Sequence, residues 1–466
     1  MERVTSFYEL LEKNAHQFPD KTAILYDTFA VSYAKLFEDV KKKAIHLSRF
    51  EGKRIALYGP SSYRWIVNMF GIILAGKDAI LVDFFLPKEV KAKVLHKIGT
   101  DYILSSTNQY ILADEDGSMI PHAEKDDVDA SDYTPKEQEG NILMFTATAG
   151  ESDKCVVLTT AQILNTVRAI RQHCVCDKED MVLSQISLHH VFGYIYSMIW
   201  PLSCGACVCV GRGIRHIDAD TYYYNVTTLI ATPSMAEYLK RVKAFNKELK
   251  KVVIGGAPCS TRLFDCLKER DLKVYAIYGM TECTGCIAIS KVTAASYELF
   301  DETKVTIGDN GELLVSGACV MVGYDHDDKT NAQVLKDGVF HTSDYGYFDD
   351  NGKLVVTRRN PGILLLPTGE KICRSVINEE IMELNGIAES YLTVYEDRLT
   401  VVIVPIKKDK PQDSFKRLID KYNERKGYRW EIQCVVVAEN GLPKLEDGTV
   451  NDEAIMIMLK DHAFEE

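Results

Sequence analysis

The sequence is short of positive charge. Lysine and arginine number 55 against 67 aspartate and glutamate in 466 residues, a formal net charge of -12. That balance disfavours broad electrostatic adhesion to nucleic acid or anionic lipid and leaves room for a local basic pocket at most. No secretory signal is expected, because the opening MERVTSFYELLEK has charges where such a signal needs an unbroken apolar stretch. Cysteine is present 13 times, yet no second CxxC and no histidine pair stands at zinc-finger spacing beside the Cys204, Cys207, Cys209 group or the Cys283, Cys286 pair. Buried, reduced thiols in a cytoplasmic protein are therefore expected. Long charge-free runs are also scarce. The longest, VFGYIYSMIWPLSCGACVCVG, has the length of a bilayer span, but Pro201 and Gly205 interrupt it. A core helix followed by a buried strand is the better reading, with no integral membrane segment.

What is present is enough to build a large core. With 46% of residues apolar and 26% charged, disorder and a small disulfide scaffold are excluded, and the length calls for more than one domain. The short apolar runs RIALYG, DAILVD and DYILSS alternate with helical patterns such as RWIVNMFGIILAG, which is βα winding. MVLSQI, ACVCVG, TLIAT, KVVIGG and KVYAIYG continue it, so a large, mainly parallel sheet covered by helices is expected. Beyond about residue 300, GELLVSG and KLVVTRR read as an antiparallel β piece. YLTVYE, LTVVIVPI, SFKRLIDKYNERKG and QCVVVAE then suffice for a compact α+β domain. The expected division is 1–357 and 358–466, with a hinge near Arg358 to Asn360. The acidic HAEKDDVDASDYTPKEQEG reads as a solvated loop.

Ligand sites in such sheets favour the carboxyl ends of strands, and four clusters stand there. FTATAGESDK offers Thr146, Thr148, Ser152, Gly150 and Lys154, a phosphate loop or a plain surface turn. In VVIGGAP, Gly255 and Gly256 permit close approach of a flat ligand or simply make a turn. YGMTE supplies an aromatic ring (Tyr278), a hydroxyl (Thr281) and a carboxylate (Glu282), suited to a base, a phosphate oxygen and Mg²⁺, or else to a helix cap. HTSDYGYFDDNGKLVVTRR adds Asp344 for ribose hydroxyls and Arg358 for a phosphate, with DDNG as a hairpin turn.

Taken in order, FTATAGESDK, GGAP, YGMTE, GELLVSG followed by VGY and Thr330, HTSDYG, TRRN, GEKI and LPKLEDG resemble the AMP-forming adenylating superfamily over nearly the whole chain. That superfamily comprises acyl-CoA and aryl-CoA synthetases, luciferases and the adenylation domains of peptide synthetases. The resemblance implies an α/β fold: a large N-terminal domain of mainly parallel sheets with a β-rich subdomain, and a small mobile α+β C-terminal lid. It implies that ATP activates a small carboxylic acid as acyl-AMP, and that a thiol, from coenzyme A or the phosphopantetheine arm of an acyl carrier protein, then displaces AMP. By the same match Lys154 and Thr146 hold the β and γ phosphates, Thr281 the α-phosphate and Glu282 the Mg²⁺. Asp344 takes the ribose, Tyr278 with Gly256 and Ala257 the adenine, and Arg358 completes the nucleotide site. Asn360 falls on the hinge, Gly369 on the thiol tunnel and His190, in QISLHHVFGY, on the histidine that gates the acyl pocket.

Two departures concern adenylation. Thr449 stands where the family's catalytic lysine belongs, and Lys444, five residues earlier, is the nearest substitute. The phosphate loop lacks family glycines at Thr148 and Glu151 and has Asp153 in place of proline. A degenerate relative that binds AMP or an acyl-adenylate as a binding or regulatory module is therefore the alternative to an active ligase. No aspartate lies between Gln185 and Gly205 to pair a substrate ammonium, which disfavours an amino acid. Phe192, Tyr194, Tyr196, Met280 and the Cys283 to Cys286 turn suit an acyl or aryl tail, or ordinary core. A NAD-dependent enzyme using YGPSS as its phosphate turn is a poor reading, since GxGxxG is absent.

Overall fold

The computed structural model describes residues 4–85, 95–105, 110–112, 119–121, 128–146, 154–294, 296–309, 311–358, 363–366, 368, 371–407, 412–426, 430–444 and 450–461. They fall into two compact units, the first running through most of the chain to Arg358 and the second built mainly from residues beyond it, with Phe85 assigned to it as well.

In the first unit the apolar runs become strands, but of two sheets rather than one. The larger sheet has nine strands in the spatial order Glu298–Leu299, Ala288–Ser290, Lys273–Tyr278, Lys251–Ile254, Thr228–Ala231, Met181–Ser184, Cys207–Val210, Thr22–Tyr26, Phe29–Ser32. The inner strands from Lys273–Tyr278 to Thr22–Tyr26 pair in parallel, and antiparallel strands close both edges. Cys207–Val210, Thr228–Ala231 and Lys251–Ile254 are buried at every residue. Parallel strands are covered on both faces, which is why these segments read as unbroken apolar runs. Such runs reveal burial but not which neighbour a strand takes, so they do not distinguish one sheet from two.

The second sheet has eight strands, in the order Gly323–Tyr324, Lys154–Leu158, Ile142–Thr146, Asp78–Val82, Arg54–Tyr58, Tyr102–Ser105, Tyr110–Leu112, Met119–Pro121. RWIVNMFGIILAG forms the helix Tyr63–Leu74, capped by the Ser62 side chain on the Trp65 N–H. Ser61, in the same YGPSS turn, accepts from Leu188 N at 3.1 Å, so both hydroxyls of that turn serve the fold. GELLVSG and KLVVTRR lie in an antiparallel sheet, each paired to the long strand Val339–Phe348.

The charge-free run is a helix followed by a strand. Gly193–Ile199 winds as a π-helix, Trp200–Ser203 continues as α-helix, and Cys207–Val210 is the strand. Gly205 turns the chain at φ +74°, and a Cβ there would lie 2.6 Å from the Phe18 ring. Among the described residues no helix is long and apolar enough to cross a membrane.

In the acidic segment residues 134–138 are exposed, as expected of a solvated loop, but its end is not. Glu139, near its end, is half-buried and accepts from the backbone N–H groups of Phe7 and Tyr8 at 2.9 and 2.8 Å. It thereby satisfies first-turn donors of the helix Phe7–Gln17, which that helix cannot satisfy itself.

The second unit has its own cores. A three-stranded sheet, Ile387–Tyr395, Arg398–Pro405 and Cys434–Val437, buries one face against Ile377, Phe415, Ile419 and Tyr422, and Val402 and Val436 pack with Ile455 and Leu459.

Candidate active site

Several strands and turns of the first unit carry the site residues. Tyr278 ends the strand Lys273–Tyr278, and the chain then makes a 3-10 turn, Thr281–Cys283. Gly279 permits this reversal, because a Cβ there would collide with the Gly285 backbone. The turn half-buries Thr281 and buries Glu282.

Asp344 comes from the strand Val339–Phe348, 66 residues further along, yet Tyr278 Oη donates to its Oδ2 at 2.7 Å. A bulge aims it. Register slips between Glu312 and Leu314 in the partner strand, and Ser343 takes φ +57° while its N–H donates to Glu312 Oε1 at 2.8 Å. Thr342 Oγ1 accepts from Asp344 N at 3.0 Å and donates to Leu313 O at 2.7 Å. Bulges commonly re-aim a side chain in this way. Asp344 is only 4% exposed, and a phenol donating to a carboxylate in that setting contributes about 1.5–3 kcal/mol. Arg358 ends the strand Leu354–Arg358 with its backbone paired to Tyr345, next to Asp344.

Glu282 divides its two oxygens. Oε1 accepts from Tyr324 Oη at 3.0 Å, whereas Oε2 is buried with no hydrogen-bond partner among the described residues. Burial first, then the Glu282 charge and hydrogen bond, push the Tyr324 phenol far above its ordinary pKa, so it remains a donor. A buried, unsatisfied carboxylate oxygen is costly unless something positive takes it, which fits a divalent cation. Lys154, directly opposite Thr146 in the ladder, holds its ammonium 4.9 Å above the centre of the Tyr324 ring. Thr146 is buried at the end of its strand, its hydroxyl 3.4 Å from Lys154 O.

The two glycines of GGAP play different parts. A Cβ on Gly255 would lie 2.6 Å from Phe192 Cε2, so its missing side chain admits that ring and not a ligand. Gly256, at φ +80°, is exposed, and a Cβ there would meet only Thr232 at 3.8 Å. Ala257 beside it is half-buried. His190 stands just before the helical turn that leads into the π-helix, its carbonyl accepting from Tyr194 N at 2.8 Å. Its ring centre lies 4.2 Å from that of His189, whose Nε2 is 3.6 Å from Asp83 Oδ1.

The structure thus brings Tyr278 onto Asp344, and Glu282 and Lys154 onto Tyr324. Thr148, Gly150, Ser152, Asn360, Gly369 and Thr449 lie outside the described residues. Lys444, considered as a substitute for the missing lysine, pairs with Glu389 at 2.8 Å. Sequence reading missed the roles of Tyr324 and Thr342; VGY marked Tyr324 as a motif residue without saying what it touches.

Comparison with known proteins agrees with this fold. The family model of AMP-binding enzymes matches residues 11–325. A 2-succinylbenzoate–CoA ligase of Listeria monocytogenes is 24% identical over 467 residues, spanning 94% of this chain and 97% of that protein. The structure of an o-succinylbenzoate CoA synthetase from Bacillus subtilis, bound with a product analogue, superposes with a TM-score of 0.76 at 17% identity, covering 97% of this chain and 98% of the other. The amide bond synthetase McbA from Marinactinospora thermotolerans gives 0.77 at 16% identity, over 97% and 99% of the two chains. With the family model spanning well over half its length, the chain belongs to the AMP-binding enzyme family.

Proposed function

We propose that the protein uses ATP to activate a small carboxylic acid as its acyl-adenylate and passes the acyl group to a thiol. The observation that carries this reading is the 2.7 Å contact between Tyr278 and Asp344, which joins two distant motifs at one place. Asp344 takes the ribose hydroxyls, while Tyr278 with Gly256 and Ala257 borders the base. Thr281 meets the α-phosphate, Thr146 and Lys154 the β and γ phosphates, and Arg358 completes the nucleotide's surroundings. Glu282 Oε2 is the oxygen that would hold Mg²⁺, which when bound supplies positive charge against the phosphates.

An aryl or acyl acid is the substrate class. Relatives named 2-succinylbenzoate–CoA ligases make an aryl acid the first candidate and coenzyme A the first acceptor, ahead of a carrier-protein arm. His190 stands at the acyl side. The second unit acts as the lid, hinged at Asn360, with Gly369 lining the thiol's path. Free cysteines such as Cys176, Cys204 and Cys259 suit the reducing cytoplasm.

Exchange of labelled pyrophosphate into ATP, across aryl, fatty and amino acids, tests the reading. Exchange with an aryl or fatty acid is the expected result; AMP binding without exchange for any acid would favour the degenerate binding module. Because Thr449 replaces a cation, Thr449→Lys should raise exchange about tenfold or more. No rise would shift the deficit to the phosphate loop.

A further inference from the structure

Tyr324 touches two oppositely charged groups, one at each of its chemical poles. Its hydroxyl donates to Glu282 Oε1 at 3.0 Å, and its ring face lies 4.9 Å beneath the Lys154 ammonium. Among the described residues Lys154 and Glu282 form no ion pair with each other. We propose that Tyr324 is a positioning residue: it fixes the Glu282 carboxylate so that Oε2 faces the divalent cation of bound ATP, and keeps Lys154 from neutralising it. This rests on the adenylating reading of the site.

The mount is rigid enough for that task. Gly323 and Tyr324 pair antiparallel with Val157 and Val156, at the edge of the strand that starts at Lys154. The Asn331 side chain then grips the Tyr324 backbone from both sides. Its Oδ1 accepts from Tyr324 N at 2.7 Å, and its Nδ2 donates to Tyr324 O at 2.8 Å. Gly323 leaves room for this clamp, since a Cβ there would lie a tight 3.1 Å from the Asn331 amide. Met321 N donates to Glu282 O at 2.8 Å, tying the carboxylate's own backbone to the same segment.

The chemistry follows from one proton. The terminal torsion of a glutamate is broad and nearly two-fold, so an unheld carboxylate swings. A phenol has a single O–H, and that donor can hold one oxygen while leaving the other open. Partners that orient a metal-binding carboxylate typically change metal affinity by about 10–100-fold when removed.

Tyr324→Phe keeps the ring under Lys154 and deletes only the hydroxyl. Two affinities are measured on the full chain: AMP without metal, by calorimetry, and Mn²⁺ in the presence of ATP, by paramagnetic resonance of free Mn²⁺. The expected result is AMP affinity within about twofold of wild type and Mn²⁺ affinity lowered about tenfold or more. Asn331→Ala, which loosens the clamp without touching the phenol, should move Mn²⁺ affinity in the same direction. Equal weakening of AMP and Mn²⁺ would mean a merely structural tyrosine, and unchanged Mn²⁺ affinity in both variants would also overturn the assignment. Wild-type protein that binds neither AMP nor ATP is a separate outcome: it would fell the adenylating reading, and the role of Tyr324 with it.

Discussion

Asp344 sits almost wholly out of water, where Tyr278 donates to its carboxylate and Thr342 Oγ1 accepts its backbone N–H. The residue types were legible: an aromatic, a hydroxyl and a carboxylate in YGMTE, and an aspartate in HTSDYG. Their contacts were not. HTSDYG alternates like an ordinary strand, and nothing local announces that Ser343, a non-glycine, adopts φ +57° there. GGAP shows the converse error, since one of two adjacent glycines makes room for a neighbouring side chain. Gly255→Ala should destabilise the protein by about 1–3 kcal/mol in urea unfolding, because the Phe192 ring must move. Adding Phe192→Leu should relieve part of that loss, giving a coupling of about 0.5 kcal/mol or more between the two sites. Simple additivity would show that the ring is not what Gly255 accommodates.

Helices and strands were the most legible level, since buried parallel strands are necessarily apolar and the helices between them carry one apolar face. The exception is the start of the helix Phe7–Gln17, whose donors are met by Glu139, from more than 130 residues away. Composition alone assigned that glutamate to solvent, because its neighbours are charged and its partner is backbone. Burial raises its pKa, and the Phe7 and Tyr8 N–H groups pull the other way without prevailing. The folded protein therefore binds the Glu139 proton more tightly than the unfolded chain does. That contribution is fully present below the ordinary glutamate range and is lost as pH rises through the raised value, at up to about 1.4 kcal/mol per pH unit between the two. Glu139→Gln does not titrate. Thermal unfolding of both proteins from about pH 4 to pH 8 should show the wild type's stability relative to the variant falling as pH rises. A relative stability that grows with pH would mean that the two N–H bonds outweigh burial.

At the scale of the whole molecule, the buried central strands were readable, while the edge strands such as Phe29–Ser32 and Ala288–Ser290 and the division between two sheets were not, because an apolar run does not name its neighbour. Membership of the AMP-binding family rests on the family model over residues 11–325, whereas the geometry shows what the motif order achieves: the Lys273–Tyr278 strand, the turn after it and a bulged strand from another sheet bring Tyr278, Glu282 and Asp344 into one region of the first unit. The account stands on AMP being held there. Calorimetric titration of AMP into the wild type and Asp344→Asn is the most direct test. Saturable one-to-one binding by the wild type, weakened about tenfold or more in the variant, is the predicted result, since a buried carboxylate is a far better acceptor for paired hydroxyls than an amide. AMP bound equally well by both proteins, or by neither, would contradict it.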